Sequence, residues 1–238
     1  MKRALLLLFF FAMGLNMLLR SQITFKPDSI YTPQLSGTLF VEKKYKGSQY
    51  VTPEWSNSIL LLSNGDTIKN EKIKYNGYLD EVIWLHPKNY HKFMLDKSNI
   101  SEFWITRSSS LLIHYQKIDI FPRKANSQRI FAEVVCRGTV SMYIYRKISR
   151  NGTNEENEDG LHYVLEVLNP DNIYYFELPD GEWIEMKNLK VDNLLKYMPK
   201  QKKAIVQMMN ANHLKFKSES QCAKIIQLIN EKGLTKYP

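Results

Sequence analysis

The chain has 238 residues with 33 Lys and Arg against 24 Asp and Glu, a formal net charge of +9, 44% hydrophobic residues and 12% aromatic residues. These fractions exclude bulk disorder and collagen, and two cysteines are too few for a disulfide-rich miniprotein. The length suits one domain with a sizeable core, or one β domain with a helical appendix.

Met1-Lys2-Arg3 is basic, and the apolar run from Ala4 to Leu19 is broken only by Gly14 and Asn16. A membrane span needs about 20 apolar residues, so this shorter run reads as the core of a signal peptide over residues 1–21, cut after Ser21. Leu19, three residues before the cut, is larger than such sites favour, which keeps an uncleaved anchor as the alternative. No cysteine follows the run to take a lipid. The expected localisation is export through a cleaved signal peptide to the periplasm or the outer membrane. Loss of Lys2, Arg3 and Arg20, with no acid lost, lowers the net charge of +9 to +6. Export removes nucleic acid as a partner, and the basic balance implies at most weak contact with an anionic membrane surface.

Residues 22–36 contain Pro27 and Pro33 and little periodicity, so they read as an extended lead-in. From 37 to 186 the pattern is β. An apolar run at 58–62 meets Asn64-Gly65-Asp66, a hairpin turn signal, and 67–75 alternates Ile68, Ile73 and Tyr75 with lysines. Asn76-Gly77 turns into a strand over 79–85, and further strands are predicted at 91–95, 100–105, 111–115, 129–136, 139–148, 161–168 and 172–178. About ten short strands with frequent turns predict an antiparallel meander, roll or sandwich. From 187 to 238 the period becomes helical: a short helix over 192–198 stopped by Pro199, a second over 201–209, and a third opened by a Ser218/Gln221 capping box and stopped at Gly233. Ile205, Met208 and Met209 form one helical stripe, and Cys222, Ile225, Ile226 and Ile229 another. The fold class is therefore α+β, strands first and a small helical subdomain packed on the sheet.

The stretch ILLLSNGDTIKNEKIKYNGYLDEVIWL (59–85), the long strands at 129–148 and the ending GEWIEMKNLKVDNLLKYMP (181–199) together resemble exported envelope proteins of unknown function common in Bacteroidota. That resemblance implies an envelope location and no activity. It also implies a short O-glycosylation acceptor pattern at Asp28-Ser29-Ile30 and Asp66-Thr67-Ile68.

Several constellations invite chemistry. Reading Glu155 as the first position, Asn157, Asp159 and Glu166 fall at positions 3, 5 and 12 of a calcium loop with Gly160 at 6. Against it stand the length of Glu155, His162 where an apolar residue normally packs, and strand-like alternation after Gly160. The histidines (His86, His91, His114, His162, His213) lack zinc spacing, and no nucleophile motif or phosphate loop occurs. Ser108–Ser110 reads as a polar turn, and Asp80 and Glu81, as strand neighbours, point to opposite faces and cannot flank one bond. Cys136 and Cys222 both suit buried positions, and in an oxidising compartment they form a candidate disulfide between sheet and last helix. Tyr143, Tyr145 and Tyr174-Tyr175-Phe176 read either as a sugar-stacking platform or as two sides of a packed sheet. No cofactor is expected. The expected function is a non-enzymatic binding or assembly component with an envelope protein or glycan partner, received on a β edge or on the Ile205/Met208/Met209 helix. The alternative is an envelope hydrolase, acting on glycan or peptide without a recognisable motif.

Overall fold

The computed structural model of the protein describes residues 29–31, 35–107, 111–120 and 128–234. The predicted signal peptide, most of the lead-in and the serine turn at 108–110 lie outside the described residues. The strands are β1 (Ser29–Tyr31), β2 (Ser36–Leu39), β3 (Ser56–Leu62), β4 (Thr67–Asn76), β5 (Glu81–Leu85), β6 (Lys92–Leu95) and β7 (Ile100–Arg107). They continue as β8 (Leu111–Ile120), β9 (Gln128–Cys136), β10 (Ser141–Tyr145), β11 (Ile148–Glu158), β12 (Leu161–Pro170), β13 (Ile173–Glu177) and β14 (Trp183–Met186). Twelve form one sheet in the order β1-β2-β6-β5-β4-β3-β7-β8-β9-β10-β13-β14, every neighbouring pair antiparallel. β11 and β12 form a separate hairpin inserted between β10 and β13, which pair directly. The chain is thus α+β with an antiparallel sheet preceding its helices.

The sheet cannot be flat. β4 and β9 are four places apart in the strand order, which at about 4.8 Å per strand separates them by about 19 Å along a flat sheet. Yet the Tyr75 ring of β4 lies 6.4 Å from that of Phe131 on β9 and 5.0 Å from that of Tyr115 on β8. Right-handed twist has rolled the sheet until one face closes around a shared aromatic core. Leu60, Ile73, Val82, Trp84, Phe103, Ile105 and these three rings fill it.

The helices α1 (Val191–Leu195), α2 (Lys202–Ala211) and α3 (Glu219–Glu231) cover the other half of the sheet. Met142, Ile144, Phe176 and Ile184 from the strands meet Ile205, Met208, Met209, Cys222, Ile225 and Ile229 from the helices in one cluster. This corrects one expectation: the Ile205/Met208/Met209 stripe is spent on the core and is not open to a partner. The α3 cap is half of a capping box, because Ser218 Oγ accepts from the Gln221 N–H while Gln221 Oε1 accepts from the Lys215 N–H instead. Asn230 fixes the far end of α3, donating to Val140 O and accepting from the Val140 N–H, both at 2.8 Å. No helix of the described residues is long and apolar enough to cross a membrane.

Candidate functional site

Because the sheet is rolled, its mouth brings together segments that are far apart in the chain. Ile113 and Tyr115 of β8 form the floor of a cleft of about 500 Å³. One wall is Tyr50-Val51-Thr52, the approach to β3. The other is Arg146-Lys147-Ile148, the corner where β10 ends and β11 begins, and Leu168–Pro170, Asn172, Gly47 and Ser48 complete the rim. Ligand sites gather at such mouths, with apolar walls and a few placed polar groups.

The first wall is pinned from both ends. The Val51 N–H donates to Tyr75 O, and the Lys46 N–H donates to Glu166 O while the Leu168 N–H donates to Lys46 O. That last pairing draws Gly47 onto β12. A Cβ on Gly47 would stand 2.4 Å from Leu168 O, and its φ of +95° is one that side chains avoid, so glycine is required there. Tyr50 is 7% and Thr52 8% exposed. Thr52 Oγ1 is buried without a hydrogen-bond partner, while the buried Tyr50 phenol faces the Glu42 carboxylate. Burial, followed by the Glu42 carboxylate, raises the Tyr50 pKa, so the phenol stays protonated and able to donate. Lys74 Nζ lies 4.7 Å from the Tyr50 ring and 5.0 Å from that of Trp55, holding the tyrosine from behind.

The second wall is built on an ion-pair hub. Arg146 Nε donates to Glu133 on β9 at 2.6 Å, and its two terminal nitrogens donate to both oxygens of Glu219 at 2.7 and 2.8 Å. Burial alone would favour the neutral form, but these bonds from Glu219 and Glu133 overcome it and raise the Arg146 pKa. Glu219 also accepts from Tyr174 Oη at 3.2 Å. Arg146 therefore spends its charge inside the protein, while its neighbour Lys147 makes no ion pair among the described residues. The cleft is accordingly lined by one cation, the Asn169 and Asn172 amides and apolar walls, with the Thr52 side chain at its edge.

A second polar cluster lies on the β4–β5 turn. Asp80, with φ of +58°, turns its carboxylate inward. It accepts from Tyr75 Oη at 2.7 Å and from the Phe131 N–H at 3.1 Å, and it pairs with Lys97. Burial raises its pKa against the opposing pull of Lys97. Glu81, the first residue of β5, is pushed up to about 7 by burial. Asp80 lies in the turn and not on β5, so strand alternation does not set it against Glu81; it is a fully engaged staple across the roll, and Glu81 is near enough to feel the charges of both Asp80 and Lys97.

The calcium-loop candidates are drawn out along the β11–β12 ladder. Glu155 stands opposite Val164, Asn157 opposite His162 and Glu166 opposite Thr153, with Asp159 in the turn. Glu166 sits five residues along β12 from Leu161, about 17 Å at strand rise, so it cannot close a loop around an ion held near Asp159. It pairs with Arg150 at 2.9 Å instead. Among the described residues no three His, Cys, Asp or Glu side chains gather as metal ligands. Cys136 and Cys222 are unbridged thiols in the helix–sheet cluster. Burial pushes them up to about 11 and about 12, so both stay protonated at neutral pH. Tyr143 and Tyr175 are buried on the opposite sheet face, so they present no open stacking platform. The cleft residues were missed by sequence reasoning. Tyr50, Val51 and Thr52 sit before a predicted strand with no periodic signal, and only the roll places them opposite 146–148. No family model matches the chain, and no curated protein or solved structure matches it.

Proposed function

We propose that this protein is an exported cell-envelope component that binds a small polar ligand in the cleft between Thr52 and Lys147, without transforming it. The observation that carries the reading is the cleft itself, about 500 Å³ and lined by Thr52, Lys147, Asn169 and Asn172 among apolar side chains. Thr52 Oγ1 lies buried in that wall without a partner, at a cost of about 1–3 kcal/mol, and a rotation that turned it to the cleft would let a ligand oxygen remove that cost. A threonine hydroxyl donates and accepts, and amides do both, which suits a molecule rich in hydroxyls. Lys147 adds a preference for a carboxylate. A glycan unit bearing an acidic group meets these demands, and Ile113, Val51, Ile148 and Pro170 would cover its apolar ring face. Export is supported by the basic start and apolar run of residues 1–19, and the envelope setting by the resemblance carried at 59–85, 129–148 and 181–199.

The test is calorimetric titration of neutral and acidic oligosaccharides into the purified protein. An acidic sugar is expected to bind more tightly than its neutral counterpart. Thr52→Val should weaken that binding about tenfold, the worth of one hydrogen bond near 1.4 kcal/mol, and Lys147→Ala should erase the acidic preference. Binding that neither substitution changes would overturn the assignment.

A further inference from the structure

Charge is distributed very unevenly over this basic protein. The distal part of the β11–β12 hairpin, residues 151–164, holds Glu155, Glu156, Glu158 and Asp159 and no Lys or Arg. Residues 193–218, from the end of α1 to the cap of α3, hold Lys196, Lys200, Lys202, Lys203, Lys215 and Lys217 and no acid. Each region also shows apolar side chains to solvent. On the hairpin these are Leu161 at 58% and Val164 at 60% exposure, with Tyr163 less so. Beside the lysines they are Tyr197 at 43% and Val206 at 36%.

The hairpin is not part of the large sheet. Its one bridge to another segment is at its base, between Lys46 and Val167, leaving the ladder from Glu158 and Leu161 downward without a third strand among the described residues. Among the described residues Glu156 lies 3.8 Å from Lys46, Glu155 lies 3.5 Å from His162, and Lys44 Nζ lies 5.4 Å from the Tyr163 ring. Lys202 and Lys203 are exposed on the first turn of α2 and pair with no described acid. The two regions are therefore opposite in sign and similarly dressed with apolar groups, and Glu155 and Glu156 make no ion pair with Lys202 or Lys203 within one molecule.

We propose that the acidic hairpin of one copy docks on the lysine-bearing surface of α1 and α2 of a second copy. Opposite charges steer the encounter and fix its register, while Leu161 and Val164 against Tyr197 and Val206 supply apolar burial. The contact joins two different patches, so it is heterologous: it leaves a free hairpin at one end and a free lysine surface at the other, and propagates into a ring or a chain. It is independent of ligand binding in the cleft.

Sedimentation velocity of the purified protein across a concentration series, at about 0.05 M and about 0.5 M salt, tests it, since exposed charges are well screened at the higher strength. The expected result is a mass that grows with concentration at low salt and falls toward the monomer at high salt. The exposed double variants Glu155→Lys/Glu156→Lys and Lys202→Glu/Lys203→Glu, checked for native circular dichroism, should each associate at least about tenfold more weakly. Mixing the two should restore assembly, because each then meets a surface of opposite sign. A wild type that stays monomeric at low salt overturns the proposal, as does assembly that neither variant alters. So does a monomer whose Lys202 and Lys203 instead hold it to vesicles of anionic lipid.

Discussion

Glu81 shows how one half-buried carboxyl shapes the response to pH. Its folded-state pKa of about 7 lies above the ordinary 4.5 because burial penalises the anion, with Asp80 and Asp96 adding repulsion against the pull of Lys97. The folded protein therefore holds this proton more tightly than the unfolded chain does. The stability it contributes is complete below about pH 4.5 and is lost as pH rises through about 7. With solvent screening allowed for, the loss is about 1–2 kcal/mol. Glu81→Gln, neutral throughout, should match the wild type in urea midpoint at pH 4 and exceed it at pH 8, and equal midpoints at pH 8 would refute this reading. Thr52 makes a matching case for an uncharged group. Thr52→Val removes a buried hydroxyl that has no partner at little change in volume, so thermal melting should show the variant more stable by about 1 kcal/mol. A residue that lowers stability while lining a cleft is what a binding role predicts. Neither behaviour was legible in the sequence, where Glu81 is an ordinary strand acid and Thr52 an ordinary polar residue before a proline.

At the scale of elements, the helices are tied to the sheet by a few directed contacts over a broad apolar cluster. Arg146 joins the β10 corner to β9 through Glu133 and to the first turn of α3 through Glu219. Arg146→Met would leave two partly buried carboxylates without their cation, at a cost of about 3 kcal/mol. Hydrogen exchange should report that cost as lost protection in α3 and its neighbours, and unchanged protection there would show the hub to be dispensable. At the other end of α3, a Cβ on Gly138 would stand 2.2 Å from Asn230 Nδ2. Gly138→Ala should therefore disrupt the two Asn230–Val140 bonds and destabilise the fold by about 1–2 kcal/mol, read as a lowered urea midpoint. Ten strands and the helical stripes were legible because alternation at period 2 and 3.6 survives wherever one face is buried. β1, β2, β11 and β14 were not. β11 is written in Asn, Glu and Gly, exposes most of its length and owes its strand conformation to pairing with β12. Nor could the sequence show the cleft, since its walls meet only after a roll that depends on the summed twist of many strands.

For the molecule as a whole, the question is whether the rolled half and the helix-covered half unfold as one. The aromatic core gathers Tyr75, Phe103, Tyr115 and Phe131, and the helical cluster gathers Met142, Phe176, Ile205 and Ile226, with no buried residue shared between the two. What joins them is backbone, a third apolar cluster running from Ile118, Ile130 and Ala132 of β8 and β9 to Tyr143, Ile173 and Tyr175 of β10 and β13, and polar chemistry. β9 pairs with β8 on one side and β10 on the other, and Arg146 links Glu133 to α3. Breaking the sheet between the halves would free a ladder of hydrogen bonds along with these ties, so the two should melt together. The chain carries its own reporters for the comparison. Trp84, buried in the rolled half, donates to Glu71 at 2.6 Å, while Cys136 and Cys222 are confined to the helical cluster. Both thiols are protonated and enclosed, so they react with a thiol reagent only after that cluster opens. Thiol labelling and the fluorescence of Trp84, read in a variant with Trp55, Trp104 and Trp183 replaced by Phe, should therefore trace the same urea transition. Labelling that runs ahead of the fluorescence change would make the helical cluster a separate unit of stability, and would mean that the shared apolar cluster and the Arg146 tie are weaker than the packing on either side of them.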